Sequence, residues 1–448
     1  MSFIRNRLRL LLLLSIAIPV GLECALRLFQ PAAFTYYRSL KELHISHPDY
    51  LVALTPHADI ILKDNKGLWE GRFRTNSLGM RGSRELDPQQ EKIACLGDSM
   101  VMGFGVSDQD AFCTLLDNLE IRGKRYQTLN LAVDAFGSRG YAKRLDEVSA
   151  QTRLKAVLLF VSPNDYTMPE ALRARGILAD DENDEIRFND PAYLRMFRWR
   201  FTLTRYSYLA HAVLVGTQQV LIRAQLLQRN LRTELVKMGL QDCDPVTNAY
   251  MPYEPGIWNW IRFAFYRSPS VATCKVKSQQ TDKLPQPVDI ANNSPGRRSP
   301  ETKTNQCPAA IPATIRCLTE EPAALAPLEE STIRYYSKMI ELSQKRGFTL
   351  IVAPLPIQDQ TLYCSQAGLY SPLYDYALRA GKWFQAHNAI VLDLRNYTKE
   401  ICSMRHADGR LVSIADIYIQ GDGHYTVTGN HWIARALASE LKKLHHVF

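Results

Sequence analysis

Lys92-Ile93-Ala94-Cys95-Leu96-Gly97-Asp98-Ser99-Met100 decides how the rest of this chain is read. Ile93 to Leu96 is a short apolar run, the pattern of a strand buried on both faces. Gly97-Asp98-Ser99 follows at once, then a glycine-spaced turn, Gly103-Phe104-Gly105, and a helix-like stretch from Ala111 to Leu119. A serine where a strand gives way to a helix presents its hydroxyl at the sheet edge. Backbone N–H groups of the turn can hold a developing oxyanion there. Gly-Asp-Ser is also an ordinary turn sequence, so its weight depends on what the chain supplies elsewhere, and in which order.

Working outward, strand-like runs recur at Thr128–Leu131, Ala156–Val161, Thr349–Ala353 and Ile390–Leu394. Helical patterns lie between them at Arg139–Thr152, Glu329–Arg346 (stopped by Gly347) and Leu373–His387. Apolar strands alternating with helices predict an α/β fold, a parallel sheet covered by helices on both faces. A long interruption separates the third strand from the fourth. Pro191 to about Leu240 carries aromatic and aliphatic residues at helical spacing and predicts a helical insertion packed beside the core. Its Arg223, Arg229 and Arg232 read as a solvated face in preference to a membrane or acidic-partner contact. Lys277 to about Pro327 is rich in Pro, Asn, Gln, Ser and Thr and reads as a loop or linker. The expected organisation is therefore 1–30, a membrane segment; 31–90, a mixed and extended N-terminal region; 91–170, the first half of the core; 171–327, the insertion; and 328–448, the second half.

The 54 basic residues outnumber the 45 acidic ones, a net +9 that favours anionic surroundings such as headgroups or acidic glycans. No Lys/Arg run with interleaved aromatics is present, which argues against a nucleic-acid partner. At the N-terminus, Arg5, Arg7 and Arg9 precede an apolar stretch from Leu10 to Leu22. That is a secretory signal or a signal anchor. Ala25, Leu26 and Leu28 extend it toward the ~20 residues a span needs, and no small-x-small cleavage site follows. An uncleaved single-pass anchor is the favoured reading, with the arginines cytoplasmic and the remainder periplasmic. Glu23 is then an awkward charge near the membrane surface. Nine cysteines fit an oxidising compartment. Cys95 and Cys113 fall in core elements and read as buried thiols. Cys243, Cys274, Cys307, Cys317, Cys364 and Cys402 lie in or beside loops and can form up to three disulfides, whose pairing the sequence leaves open.

Acyl transfer by serine needs a base, an orienting carboxylate and oxyanion donors. Gly421-Asp422-Gly423-His424 lies on a loop leading into a helix with an apolar stripe through Ile433, Leu437 and Leu441. Asp422 and His424 on such a loop can reach a serine at a neighbouring strand end. Phe160-Val161-Ser162-Pro163-Asn164-Asp165 ends the third strand, and Asn164 can turn its amide toward the same edge. Asn130 to Ser138 ends the second strand in a turn whose backbone can donate. Active sites of open parallel sheets gather at this edge.

With these blocks in place the chain resembles the SGNH, or GDSL-type, esterase/acyltransferase superfamily. Gly97-Asp98-Ser99, Asn130–Ser138, Asn164-Asp165 and Asp422-x-His424 appear in that family's order. Thr75-Asn76-Ser77-Leu78-Gly79-Met80-Arg81-Gly82 is similar to the approach sequence of its membrane-anchored bacterial members. The resemblance implies a flavodoxin-like parallel sheet sandwiched by helices. It implies a Ser99/His424/Asp422 triad and an oxyanion hole from the Ser99 and Ala135 N–H groups and the Asn164 amide. Ala135 stands where the family usually has glycine, and the terminal block is Asp-x-His in place of Asp-x-x-His. The activity implied is ester hydrolysis, with an acylated carbohydrate or lipid ester as substrate and no metal or organic cofactor. Envelope polysaccharide O-acetyl transfer, or a non-catalytic glycan-binding or assembly role, stays open beside it.

Overall fold

The computed structural model describes residues 2–30, 39–47, 51–64, 67–117, 119–134, 136–162, 178–180, 186–188, 199, 202–214, 216–217 and 311–448, apart from 313–314, 323–324, 326, 329 and 407. Ala135, Asn164, Asp165, the Arg223–Arg232 stretch, Cys243, Cys274 and Cys307 lie outside the described residues. The chain divides into two compact units: Met1–Arg38 with Phe188–Gln286, and Ser39–Arg187 with Pro287–Phe448.

The second unit is a mixed α/β structure around a five-stranded parallel sheet. Its N-terminal part, expected to be mixed and extended, forms two antiparallel hairpins. β1 (His44–His47) pairs with β2 (Leu51–Leu54), and β3 (Asp59–Lys63) with β4 (Glu70–Arg74). β5 (Lys92–Leu96) is buried along its whole length and leads into a single helical turn, α2 (Ser99–Met102). Another single turn, α3 (Phe112–Leu115), replaces the longer helix expected to reach Leu119. After the small hairpin β6 (Glu120–Ile121) and β7 (Lys124–Arg125) come β8 (Gln127–Asn130), α4 (Ser138–Gln151) and β9 (Leu154–Val161). Two short strands, β10 (Leu178–Asp180) and β11 (Ile186–Phe188), pair with each other. The core resumes with α5 (Glu330–Arg346), β12 (Thr349–Pro354), α6 (Gln358–Gln366), α7 (Asp375–Ala386), β13 (Ile390–Val391) and α8 (Val427–Lys443).

The strands lie in the order β13-β12-β9-β5-β8. The chain therefore enters the sheet one strand in from an edge, steps to that edge at β8, and returns past β5 to build the other side. α4 and α5 pack on each other, α7 packs against β12 and β13, and α8 against α3. Each expected strand is found within a residue or two, except that β13 is short. Asp393 accepts from the Arg395 N–H at 3.0 Å and starts a 3-10 helix, Leu394–Ser403, where the strand had been expected to continue. Likewise α7 begins at Asp375, because Pro372–Tyr374 takes up a 3-10 turn first.

Among the described residues, two disulfides have both partners in this unit. Cys95 and Cys113, expected as buried thiols, are joined, which ties β5 to α3 with a Cα–Cα distance of 6.3 Å. Burial suggested reduced thiols, but the chain folds α3 back onto β5 and brings the two sulfurs together. Cys317 pairs with Cys364, and Cys402 is also disulfide-bonded.

A buried arginine fixes the turn after the serine. Arg81 Nε donates to Asp108 Oδ1 at 2.7 Å, its Nη1 to the carbonyls of Met102 (2.9 Å) and Gly103 (3.2 Å), and its Nη2 to that of Val106 (2.8 Å). The guanidinium lies 3.4 Å from the Phe73 ring centroid. A buried charge needs this full set of partners. Here two of them are the Met102 and Gly103 carbonyls at the end of α2, where carbonyls lack intrahelical donors.

The first unit contains α1 (Ser2–Phe29), of which Asn6–Phe29 is long and apolar enough to cross a membrane, a property a signal sequence shares. The described helical residues of the insertion, 202–206 and 208–214, group with this unit.

Candidate active site

Between Lys92 and Val106, Ser99 alone is not buried. The local sequence explains why. Gly97 has no room for a side chain: a Cβ there would meet Val101 Cγ2 at 2.3 Å and Phe160 Cβ at 3.4 Å. Asp98 is buried and points inward. Its Oδ1 accepts from the Met100 N–H at 2.9 Å and caps α2, while its Oδ2 accepts from Ser162 Oγ at 2.8 Å. Ser162 closes β9, so Asp98 ties the nucleophile turn to the next strand. Asn130 does the same on the other side. Its Nδ2 donates to the Val101 carbonyl at 3.0 Å, and its Oδ1 accepts from the Ala132 N–H at 3.1 Å. With three neighbours fixed, Ser99 is the residue left facing out. It is the first residue of α2, where backbone N–H groups lack intrahelical partners.

The other two groups come from a tight loop before α8. Tyr418 and Tyr425 bridge its base, and both hydroxyls donate to the Pro356 carbonyl just past β12. Asp422 and Gly423 N–H groups return to the Ile419 carbonyl at 3.1 and 2.9 Å. Thr426 caps α8 by accepting from the Gly429 N–H at 3.1 Å. On this frame the His424 Nε2 lies 2.8 Å from Ser99 Oγ, and Nδ1 bonds Asp422 Oδ1. The His424 backbone N–H also donates to that oxygen, at 3.2 Å. One carboxylate thus grips both the backbone and the ring of a residue two positions on, so a two-residue spacing suffices. A carboxylate only accepts, so Nδ1 carries the proton and Nε2 offers its lone pair to the Ser99 hydroxyl.

Sequence reasoning missed the residues that support this relay. Trp69 Nε1 donates to Asp422 Oδ2 at 3.0 Å, filling the second carboxylate oxygen. Burial pushes the Asp422 carboxyl up, but the bonds from His424 and Trp69 outweigh it and hold the group below its ordinary value. The Phe104 ring lies 5.0 Å from the His424 ring and 4.9 Å from that of Trp69. Gly105 (φ +94°) lets the turn approach the terminal loop: a Cβ there would meet Ile419 Cδ1 at 2.5 Å. Asp134, at the end of the second strand's turn, bonds His44 Nε2, whose Nδ1 faces the Leu40 carbonyl at 2.7 Å. Burial raises the Asp134 carboxyl, while His44 and, further off, His424 pull it below its ordinary value. No local motif marks Trp69 or His44; both sit in hairpins far from the blocks they support.

The structure therefore brings Ser99, His424 and Asp422 together. The other expected oxyanion donors, Ala135 and Asn164, lie outside the described residues. Among the described residues no group of three or more His, Cys, Asp or Glu is placed to hold a metal ion. A proton acceptor 2.8 Å from a hydroxyl, itself oriented by a carboxylate, can generate a serine alkoxide on attack at a carbonyl. No protein-family model matches this chain, and a search of curated proteins finds no significant match.

Proposed function

We propose that this chain is a serine-dependent acyl-ester enzyme of the SGNH, or GDSL-type, kind, working outside the cytoplasm. The observation that carries the reading is the continuous relay from Ser99 Oγ through His424 to Asp422. Its position adds support. Numbered by appearance in the chain, the parallel strands run 2-1-3-4-5, the flavodoxin-like order. Ser99 follows strand 1, whose neighbours are strands 2 and 3, at the switch point where such sheets place their ligands.

In this reading Ser99 Oγ attacks the ester carbonyl while His424 Nε2 takes its proton. The tetrahedral intermediate collapses, and His424 returns the proton to the leaving alcohol. Asp422, held by Trp69, keeps the imidazole in the tautomer that can accept. The Ser99 and Ala135 N–H groups and the Asn164 amide are the proposed oxyanion donors, each worth on the order of 3 kcal/mol of transition-state stabilisation. The acyl group on Ser99 then passes to water, giving an esterase, or to a sugar hydroxyl, giving an O-acyltransferase. The substrate class is an acylated carbohydrate or lipid ester. The disulfides support an oxidising compartment, and the apolar N-terminal helix supports attachment to the inner membrane.

Incubating the purified protein with acetylated glycans, with and without a sugar acceptor, tests the reading. Acetate release or acetyl transfer, abolished by Ser99→Ala, is the expected result. Neither reaction would leave a binding role, and activity unchanged in Ser99→Ala would place the nucleophile elsewhere.

A further inference from the structure

Residues 202–206 and 208–214 form two short helical stretches that leave large apolar side chains in the open while two polar ones are buried. Trp199, Leu203, Tyr206 and Val213 are 70%, 41%, 68% and 61% exposed. Leu203 and Tyr206, three apart within 202–206, share one face of that stretch, and Val213 lies on the second stretch beyond Ser207. Thr204 in the first stretch and His211 in the second are 2% and 1% exposed. A helix in water does the reverse, burying its apolar stripe and wetting its polar one. Apolar groups outside and polar groups inside suit a helix whose surroundings are lipid.

A second observation says which lipid surface this is. The segment is clipped to the C-terminal end of α1. Glu23 accepts from Ser207 Oγ (3.0 Å), the Tyr208 N–H (3.0 Å) and the Leu209 N–H (2.8 Å), so a side chain of α1 caps residues 208–214. Arg27, one turn further along α1, donates from Nε to Glu23 at 2.8 Å and from Nη2 to the Tyr206 carbonyl at 2.8 Å. Its guanidinium lies 4.7 Å from the Tyr208 ring centroid. The charge that looked awkward in an apolar helix is thus spent on the break at Ser207. At the same end of α1, Leu28 and Phe29 are also bare. Trp199 and Tyr206 are the residue types that settle at the membrane–water boundary.

We propose that Trp199 and residues 202–214 are a second membrane-contacting element, seated in the acyl-chain and headgroup boundary of a phospholipid bilayer through Trp199, Leu203, Tyr206 and Val213. Glu23 and Arg27 clip it to α1. α1 is then retained in the mature protein, because a cleaved leader cannot supply the clip. This inference rests on α1 entering the bilayer and is independent of the chemistry at Ser99.

The test uses the full-length protein in phosphatidylethanolamine/phosphatidylglycerol vesicles. A benzophenone-bearing residue replaces Leu14, Leu203, Val213 or, as a control on the exposed side of α8, Arg435. After irradiation, lipid adducts are expected at positions 14, 203 and 213 and not at 435. In Glu23→Ala and Glu23→Gln, the adducts at 203 and 213 should be lost while that at 14 persists. Adducts at 14 alone would overturn the inference and leave α1 as a span. No adduct at any of the first three positions would overturn the span reading and this inference together. Crosslinks between two copies at 203 and 213, without lipid, would make a second chain the occupant and also overturn it.

Discussion

α8 and the segment 202–214 sort apolar and polar side chains in opposite senses. α8 turns Trp432, Ile433, Leu437 and Leu441 inward and leaves Arg435 and Lys442 outside. The segment 202–214 turns Thr204 and His211 inward and leaves Leu203, Tyr206 and Val213 outside. Helical spacing identifies a stripe in α8, but not the side of the stripe that faces protein. That is set by what each helix meets. α8 meets a disulfide-tied sheet unit, whereas 202–214 meets the charged end of an apolar helix. One region is built to hold three side chains in register, the other to keep apolar surface available.

The comparison can be broken at several points. The largest effect belongs to the relay that α8's loop supports. His424→Ala should lower ester turnover on the order of 10⁴-fold or more while leaving thermal unfolding nearly unchanged; steady-state kinetics beside a melting curve checks both. Next comes the stripe itself. Leu437→Ala, at a side chain with no exposure, should cost about 2–5 kcal/mol. Leu203→Ala should stay within about 0.5 kcal/mol, and denaturant midpoints in the same detergent compare the two. Equal losses would erase the contrast between the regions.

A smaller effect tests the support behind the relay. Trp69→Phe keeps the ring against Phe104 but removes the N–H that Asp422 accepts. A bond to a charged group is worth about 1.5–3 kcal/mol, so kcat should fall about tenfold or more with KM little changed, since no substrate contact is removed. The smallest effect is in pH. The Asp422 carboxyl is held below its ordinary value in the folded state. It therefore contributes stability that is complete above its unfolded pKa of about 4, and that is lost as pH falls through the lower folded value. Melting curves from neutral pH down to about 3 should show a shallower acid loss in Asp422→Asn than in the parent, because the variant has no such charge to lose.

Much of the sheet unit was legible because its signals are local. Ile93–Leu96, Ala156–Val161 and Thr349–Ala353 are apolar runs that end in turn residues, and each is a strand. Asp422 and His424 were legible because their mutual bond spans two residues. Trp69 was not, because its bond to Asp422 joins residues 353 apart in the chain. The Cys95–Cys113 pairing was hidden by burial, which suits a thiol and a disulfide equally. The placement of 202–214 was hidden for the reason α8 makes plain: a stripe does not declare its solvent.

Labelling with a fluorophosphonate probe, followed by mass mapping of the adduct, tests the central claim most directly. The relay predicts a single adduct on Ser99 in the parent protein, abolished in Ser99→Ala and strongly slowed in His424→Ala. Undiminished labelling of Ser99→Ala, or an adduct mapped to another residue, would contradict it.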